Sequence, residues 1–223
     1  MQVVEIFQSI DGEGIRQGSL VNFIRLAGCN LNCVYCDTKY ANDHSFDYKD
    51  YTITDIEKIL KKEEFANTDL VTLTGGEPLR TLDGIKLANH LASNGFKVNI
   101  ETNGSIDITP VVKNCLITMD WKTKTSGCNE AMRLSNLKLL KKNDVLKIVC
   151  FQRDFDEIES LLTNMLDNIK SYIYISPIFG QIEMEELVDF EKYLCKKIPN
   201  LDKQLRIQVQ LHKIIWNPLT RGV

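Results

Sequence analysis

The stretch Cys29-Asn30-Leu31-Asn32-Cys33-Val34-Tyr35-Cys36 constrains this chain more than any other, because it sets three thiols at Cys-x3-Cys-x2-Cys spacing in one short loop. Such a loop can wrap so that all three sulfurs face one centre. A closed structural zinc site takes four ligands, whereas a cubane 4Fe-4S cluster held by three cysteines keeps one iron open to a ligand from outside the protein. Two readings follow: an open cluster bound by Cys29, Cys33 and Cys36, or a zinc knuckle completed by Asp37, His44 or Cys128.

Seven cysteines are an odd count with no sign of a disulfide framework. Cys115, Cys150 and Cys195 sit in apolar segments and read as small core residues. Cys128 lies in the polar loop Thr125-Ser126-Gly127-Cys128-Asn129 and is a candidate stray fourth ligand, far in sequence from Cys36 and without flanking knuckle residues.

The scaffold is read from periodicity. A chain of 223 residues, 43% hydrophobic and 26% charged, can bury a sizeable core as a single α/β domain spanning residues 1–223. Residues 3–10 and 21–26 read as strands joined through Asp11-Gly12-Glu13-Gly14, which is either an ordinary hairpin turn or a turn whose amides approach a ligand. Thr54 and Glu57 predict a capped helix over residues 55–62. Further strands are expected at 70–74, 96–101, 116–119, 145–150, 172–175 and 206–210, with helices from Leu82, around Met132, Leu137 and Leu140, from Asp154, and around Leu187, Phe190 and Leu194. The alternation predicts a partial, open β/α barrel of about six strand-helix units with a parallel sheet. A doubly wound flat sheet is the alternative.

The unusual residues all fall just after predicted strands: the cysteine loop, Gly75-Gly76-Glu77-Pro78, Thr102-Asn103-Gly104, Asp120-Trp121-Lys122, Ser176-Pro177 and the His212 segment. That places them at one end of a parallel sheet, where barrels and open sheets build their sites. A net charge of -3 argues against a nucleic-acid-binding face. The pairs Lys61-Lys62, Lys141-Lys142 and Lys196-Lys197 read instead as helix-closing cations. No apolar run reaches membrane-spanning length, and Met1-Gln2-Val3-Val4-Glu5 lacks the marks of a signal peptide, so a cytoplasmic location is expected.

An open iron can be chelated by the amino and carboxylate groups of an amino acid, a need that S-adenosylmethionine meets while bringing its sulfonium beside the cluster. The thiol spacing, with Tyr35 just before the third cysteine and Gly75-Gly76-Glu77-Pro78 downstream, resembles the radical S-adenosylmethionine superfamily. Within it the chain resembles the 7-carboxy-7-deazaguanine synthase family. The matching segments are Glu5-Ile6-Phe7, Ser9 through Gly14, Phe23 through Leu31, Cys36-Asp37-Thr38, Thr74 through Pro78, Glu101 through Gly104, Gln210-Leu211-His212 and Arg221-Gly222-Val223.

That resemblance implies a lyase acting on a pterin by adenosyl-radical chemistry. It implies that Tyr35, Cys36, Asp37, Gly75, Gly76, Glu77, Glu101 and Asn103 line the S-adenosylmethionine site. Asp120, Trp121, Lys122, Ser176 and Pro177 then reach its ribose and adenine. Ile10, Asp11, Gly12, Glu13, Arg25, Thr74, His212 and Val223 would hold the substrate, and Thr38 a Mg²⁺ ion. It further implies an electron donor such as a flavodoxin, and a homodimer. Blander readings stand beside these: Arg25 in an internal ion pair with Glu13, His212 as a structural histidine, and Val223 as a frayed end. Two positions depart from the usual pattern, Asp11 where Gln is common and Asp120-Trp121 where Ser-Pro is common. The rival readings are a glycyl-radical activase and a non-catalytic zinc module.

Overall fold

Short apolar runs alternating with amphipathic stretches fold, in a computed structural model describing residues 1–42 and 47–223, into strands and helices in regular succession. In chain order they are β1 (Gln2–Ile10), β2 (Leu20–Leu26), β3 (Lys49–Asp50), α1 (Ile53–Leu60), β4 (Leu70–Gly75), α2 (Leu82–Ser93), β5 (Lys97–Thr102), β6 (Leu116–Lys122), α3 (Leu134–Leu137), β7 (Val145–Cys150), α4 (Phe155–Met165), β8 (Tyr172–Pro177), α5 (Met184–Lys197), β9 (Leu205–Ile207) and α6 (Leu211–Ile215). No helix among the described residues is long and apolar enough to cross a membrane.

The nine strands among the described residues join one sheet in the order β3-β1-β2-β4-β5-β6-β7-β8-β9. From β2 through β9 neighbours are parallel and follow sequence order. That order never reverses, so right-handed crossovers carry every connection over the same face. A doubly wound sheet needs a reversal and is thereby set aside. The sheet ends in β3 and β9 without closing, an open partial barrel. At its start β1 pairs antiparallel with both β2 and β3, a hairpin added to the parallel set.

Strand alternation then separates two faces. Ile24 and Leu26, Val71 and Leu73, Val98 and Ile100, Ile117 and Met119, Leu146 and Ile148, and Ile173 and Ile175 pack with the buried helix residues Leu87, Leu91, Ile158, Leu162, Leu187 and Leu194 in one core. Buried polar residues take the opposite parity: Thr72 and Thr74, Asn99, Thr118, and Lys147. Parallel strands covered on both sides are usually apolar throughout, so a polar inner face marks a site rather than a second core.

The hairpin turn closes the open side through side chains instead of a ladder. Gln208 holds Gly14 at both ends, accepting from its N–H at 2.7 Å and donating to its carbonyl at 2.9 Å. Leu211 N–H donates to the Gly12 carbonyl at 3.0 Å. The turn is thus a hairpin in which the Gly14 N–H is taken by Gln208, while Gly12 is held through its carbonyl.

Several local expectations shift. The first helix is capped two residues earlier than predicted, by a reciprocal Thr52–Asp55 box, while Glu57 instead meets His90 at 2.6 Å and Lys61. The helix expected around Met132 and Leu140 shrinks to α3, between them. Lys141 closes no helix: its ammonium donates to the carbonyls of Val112 and Cys115. The last strand stops at Ile207, and His212 belongs to the short α6 rather than to an irregular tail.

Candidate active site

One cavity at the carboxyl ends of the parallel strands gathers most of the predicted site. Cys29, Cys33 and Cys36 line it together with Tyr35, Asp37, Thr38, Gly75, Gly76, Glu101, Asn103, Asp120 and Lys122, and with Ile10, Asp11, Gly12, Glu13, Arg25, Thr74, His212 and Val223. The cysteine loop follows β2 directly, and Gly75 and Gly76 stand at the end of β4, which pairs with β2.

Four predicted residues fall outside the lining. Trp121 alternates with Asp120 and Lys122 and so turns to the other face, into the apolar core. Ser176 and Pro177 are the last residues of β8, not a loop beyond it, and both are buried. Glu77 is buried beneath the cavity floor, where one carboxylate oxygen accepts from Leu79 N–H and Thr102 Oγ1, each at 2.9 Å. Its other oxygen accepts from Asn103 N–H at 2.7 Å. Glu77 therefore stitches the ends of β4 and β5 together, and burial pushes its carboxyl up to about 7 against those hydrogen bonds.

The reason for Gly76 also changes. A Cβ there would stand 2.1 Å from the Gly28 carbonyl oxygen, so the close approach that needs glycine is to the chain itself.

The sulfurs are set among donors. Cys29 Sγ accepts from Leu31 N–H at 3.4 Å and Asn103 Nδ2 at 3.5 Å, and Cys36 Sγ lies 3.7 Å from Thr38 Oγ1 and 3.9 Å from Asn42 Nδ2. Burial pushes the Cys33 thiol up to about 12. Among the described residues no three His, Cys, Asp or Glu side chains meet at the spacing of a single-ion site. A cubane spreads its thiolates over separate corners, so its cysteines must face one hollow rather than one point. Three thiols facing a shared cavity, two of them met by donors that suit a charged sulfur, fit that group. Of the zinc alternatives, Asp37 is paired with Lys213 at 2.7 Å, and His44 lies outside the described residues.

Asn103 bears on the potential of the cluster through its contact with Cys29 Sγ. N–H donors to cluster sulfurs favour the more negative, reduced form. Replacing Asn103 by leucine is therefore expected to lower the potential of the reconstituted cluster and to weaken iron retention by about tenfold. An EPR-monitored redox titration with an unchanged midpoint would remove Asn103 from this role.

Deeper in the cavity the charges form one network. Lys147, which the sequence reading did not single out, sits on β7 with its ammonium 2.6 Å from Glu13 Oε2 and 3.3 Å from Asp120 Oδ2. Lys122 meets the same Asp120 oxygen at 2.9 Å and lies 5.7 Å from the Tyr35 ring centroid. Tyr35 in turn donates to the Val149 carbonyl at 3.3 Å, bracing the cysteine loop on β7. The signal for Lys147 was present: a lysine inside Val145-Leu146-Lys147-Ile148-Val149-Cys150, on the parity opposite the core residues.

Arg25 is paired, but with Glu5 at 2.6 Å rather than Glu13, because the two stand opposite each other on β2 and β1. Tyr40 donates to the same Glu5 oxygen at 2.7 Å. Asp11 accepts from Thr72 Oγ1 at 3.1 Å and leaves Oδ1 buried without a partner, as Glu13 leaves Oε1 and Asp120 leaves Oδ1. Those orphaned acceptors line the cavity and are suited to donors from a ligand. His212 packs so close to Gly12 that a Cβ on that glycine would be 2.0 Å from Nδ1, and burial lowers the pKa of its imidazole.

Buried acids make the fold pH-sensitive. Burial, then Asp11, pushes Glu101 up to about 7 from its ordinary 4.5, and burial pushes Asp11 up to about 6. An acid whose folded pKa lies above its unfolded one keeps its proton longer in the native state. Its effect is absent below the unfolded value, and stability falls as pH rises through the interval between the two. Asp37 has the opposite sign. Burial would raise it, yet Lys213 holds it at about 2, so its contribution is present above the ordinary 3.8 and lost only in strong acid. The ligand-free protein is therefore expected to unfold at lower urea concentration at about pH 8 than at about pH 5, with Glu101→Gln flattening the slope. Equal midpoints at the two pH values would contradict this assignment.

A three-thiol loop at the mouth of an open, singly wound β/α barrel defines a radical S-adenosylmethionine enzyme. The model for the Radical SAM superfamily matches residues 23–113. A Clostridium acetobutylicum protein named 7-carboxy-7-deazaguanine synthase is 43% identical over 227 residues, covering 100% of this chain and 99% of that protein. One of the same name from Methanospirillum hungatei is 34% identical, covering 98% and 86%. In structure the chain resembles QueE from Escherichia coli, with a TM-score of 0.75, 22% identity, and coverage of 95% and 94%. The chain belongs to the 7-carboxy-7-deazaguanine synthase family. Similarity over the whole length, tail included, leaves the activase and zinc-module readings without support.

Proposed function

We propose that this enzyme converts 6-carboxy-5,6,7,8-tetrahydropterin to 7-carboxy-7-deazaguanine, with ring contraction and loss of ammonia. The observation that carries the reading is the convergence of the cysteine loop and the predicted substrate residues on one cavity, in a chain whose full-length relatives bear the synthase name. Cys29, Cys33 and Cys36 would hold the 4Fe-4S cluster. Held there, the cluster would supply the one-electron reduction of S-adenosylmethionine that radical chemistry on the pterin requires.

The chain's own residues bind and orient. Asp11 and Glu13 offer unpartnered oxygens to the N–H groups of a pterin ring, and Thr74, bonded to Glu101 at 2.7 Å, sets the orientation of that carboxyl. Arg25 commits its Nε to Glu5 and lines the cavity, suited to the substrate carboxylate. Val223 brings the C-terminal end of the chain to the same wall. Thr38, beside Cys36, is the candidate Mg²⁺ ligand, and the ion would orient the substrate carboxylate. A flavodoxin-like reductant, a homodimer and a cytoplasmic setting complete the reading.

The test is anaerobic reconstitution and reduction, followed by incubation with S-adenosylmethionine and the carboxytetrahydropterin. Formation of 7-carboxy-7-deazaguanine is expected. Deoxyadenosine without that product would keep the radical class and reject the substrate.

A further inference from the structure

The last residues of the chain are fastened, where a terminus would ordinarily fray. Asn217 closes a turn there, its side-chain oxygen accepting from Leu219 N–H at 3.0 Å and its carbonyl from Thr220 N–H at 2.8 Å. Arg221 follows, and its guanidinium carbon lies 4.1 Å from the centroid of the Tyr40 ring. The Tyr40 hydroxyl donates to Glu5 Oε1 at 2.7 Å, the same oxygen that receives Arg25 Nε at 2.6 Å. Arg25 itself lies 5.8 Å from the ring centroids of both Phe7 and Tyr40. The chain then passes Glu5 at Gly222, where a Cβ would stand 3.9 Å from Oε2, and turns through a φ of 70° into Val223, on the wall of the cavity that Arg25 also lines. One ring and one carboxylate thus join a surface arginine, a cavity-lining arginine and the chain terminus.

We propose that Arg221 is a positioning residue: seated on Tyr40, it fixes the Val223 end of the chain and, through Tyr40 and Glu5, holds Arg25 in the geometry that receives the substrate carboxylate. The inference rests on the pterin reading above for the identity of the substrate, but not for the anchoring itself. A chain end outside the sheet has many conformations to lose, and a cation seated over an aromatic face favours one of them. Arg25 has a related need. It is aimed through its Nε, so its fork is held only as well as Glu5 is held, and the Tyr40 hydroxyl grips the shared oxygen from a second side. Without Arg221 the terminus samples other positions, the Tyr40 ring is less firmly placed, and the cost of ordering both falls on substrate binding.

The experiment compares the cluster-loaded parent with Arg221→Gln, Arg221→Lys, Tyr40→Leu and the double variant Arg221→Gln, Tyr40→Leu. The KM for the carboxytetrahydropterin is expected to rise about tenfold in Arg221→Gln, with the KM for S-adenosylmethionine and the iron content as in the parent. Arg221→Lys, which keeps a cation over the ring, should regain part of that loss. The double variant should be no worse than Tyr40→Leu alone, because the two residues act as one unit. A second readout needs no substrate: carboxypeptidase digestion followed by mass spectrometry should show Val223 released about tenfold faster from Arg221→Gln than from the parent. An unchanged KM for the pterin in Arg221→Gln would overturn the proposal, as would a matching rise for S-adenosylmethionine, loss of iron, or additive effects of the two substitutions. A parent that forms no 7-carboxy-7-deazaguanine would reject the substrate instead, and release of Val223 from Arg221→Gln at the parental rate would then overturn the anchoring.

Discussion

Replacing Cys33 by alanine is expected to leave a folded, colourless protein that forms neither deoxyadenosine nor 7-carboxy-7-deazaguanine, a loss of more than about 10³-fold or ~4 kcal/mol of barrier lowering. Two properties of the position separate chemistry from stability here. Cys33 is only 7% exposed, but its side chain is small, and truncation to alanine removes one sulfur from the wall of a cavity rather than from the middle of the core. The stability cost is accordingly about 1 kcal/mol, within the range of ordinary single substitutions. The same truncation at Cys150, which is fully buried within the core, should cost stability and spare the chromophore. Iron and sulfide content, the visible absorption near the blue end and a urea melt are measured on both variants. A Cys33→Ala protein that kept its iron and its activity would remove the three-thiol loop from the centre of this scheme.

The loop was legible because its spacing is itself the chemistry, and the sheet was legible because each parallel strand carries its own apolar run. What periodicity missed was parity. Asp120-Trp121-Lys122 was read as a unit following a strand, but β6 continues through Lys122, and alternation sends Trp121 to the core while its neighbours face the cavity. Lys147 was passed over as part of a buried strand for the same reason. Long-range partners were invisible as well. Nothing local links Gln208 to Gly14 or Glu77 to Asn103, because those contacts exist only once strands far apart in sequence are side by side. Short elements such as α3 and α6 escaped because tertiary contacts, not local propensity, set lengths of one turn or so.

Replacing Lys147 by methionine is expected to destabilise the fold by about 3–5 kcal/mol and to abolish turnover together with it. The ammonium stands between Glu13 at 2.6 Å and Asp120 at 3.3 Å, with its side chain 9% exposed. Asp11, Glu101 and Thr118 line the same cavity. Methionine preserves most of the volume, so the loss is electrostatic: two carboxylates remain in a poorly solvated site without the cation they share. Asp120 retains Lys122 at 2.9 Å, so Glu13 bears the larger part of the cost. The double variant Lys147→Met, Glu13→Gln should then recover roughly 1–3 kcal/mol relative to the single one, the coupling expected of residues in one charge network. Urea unfolding of the four proteins in this cycle reads the coupling directly. Additive effects, or a Lys147→Met protein as stable as the parent, would mean that the inner-face charges are solvated separately and that no single lysine organises the floor of this site.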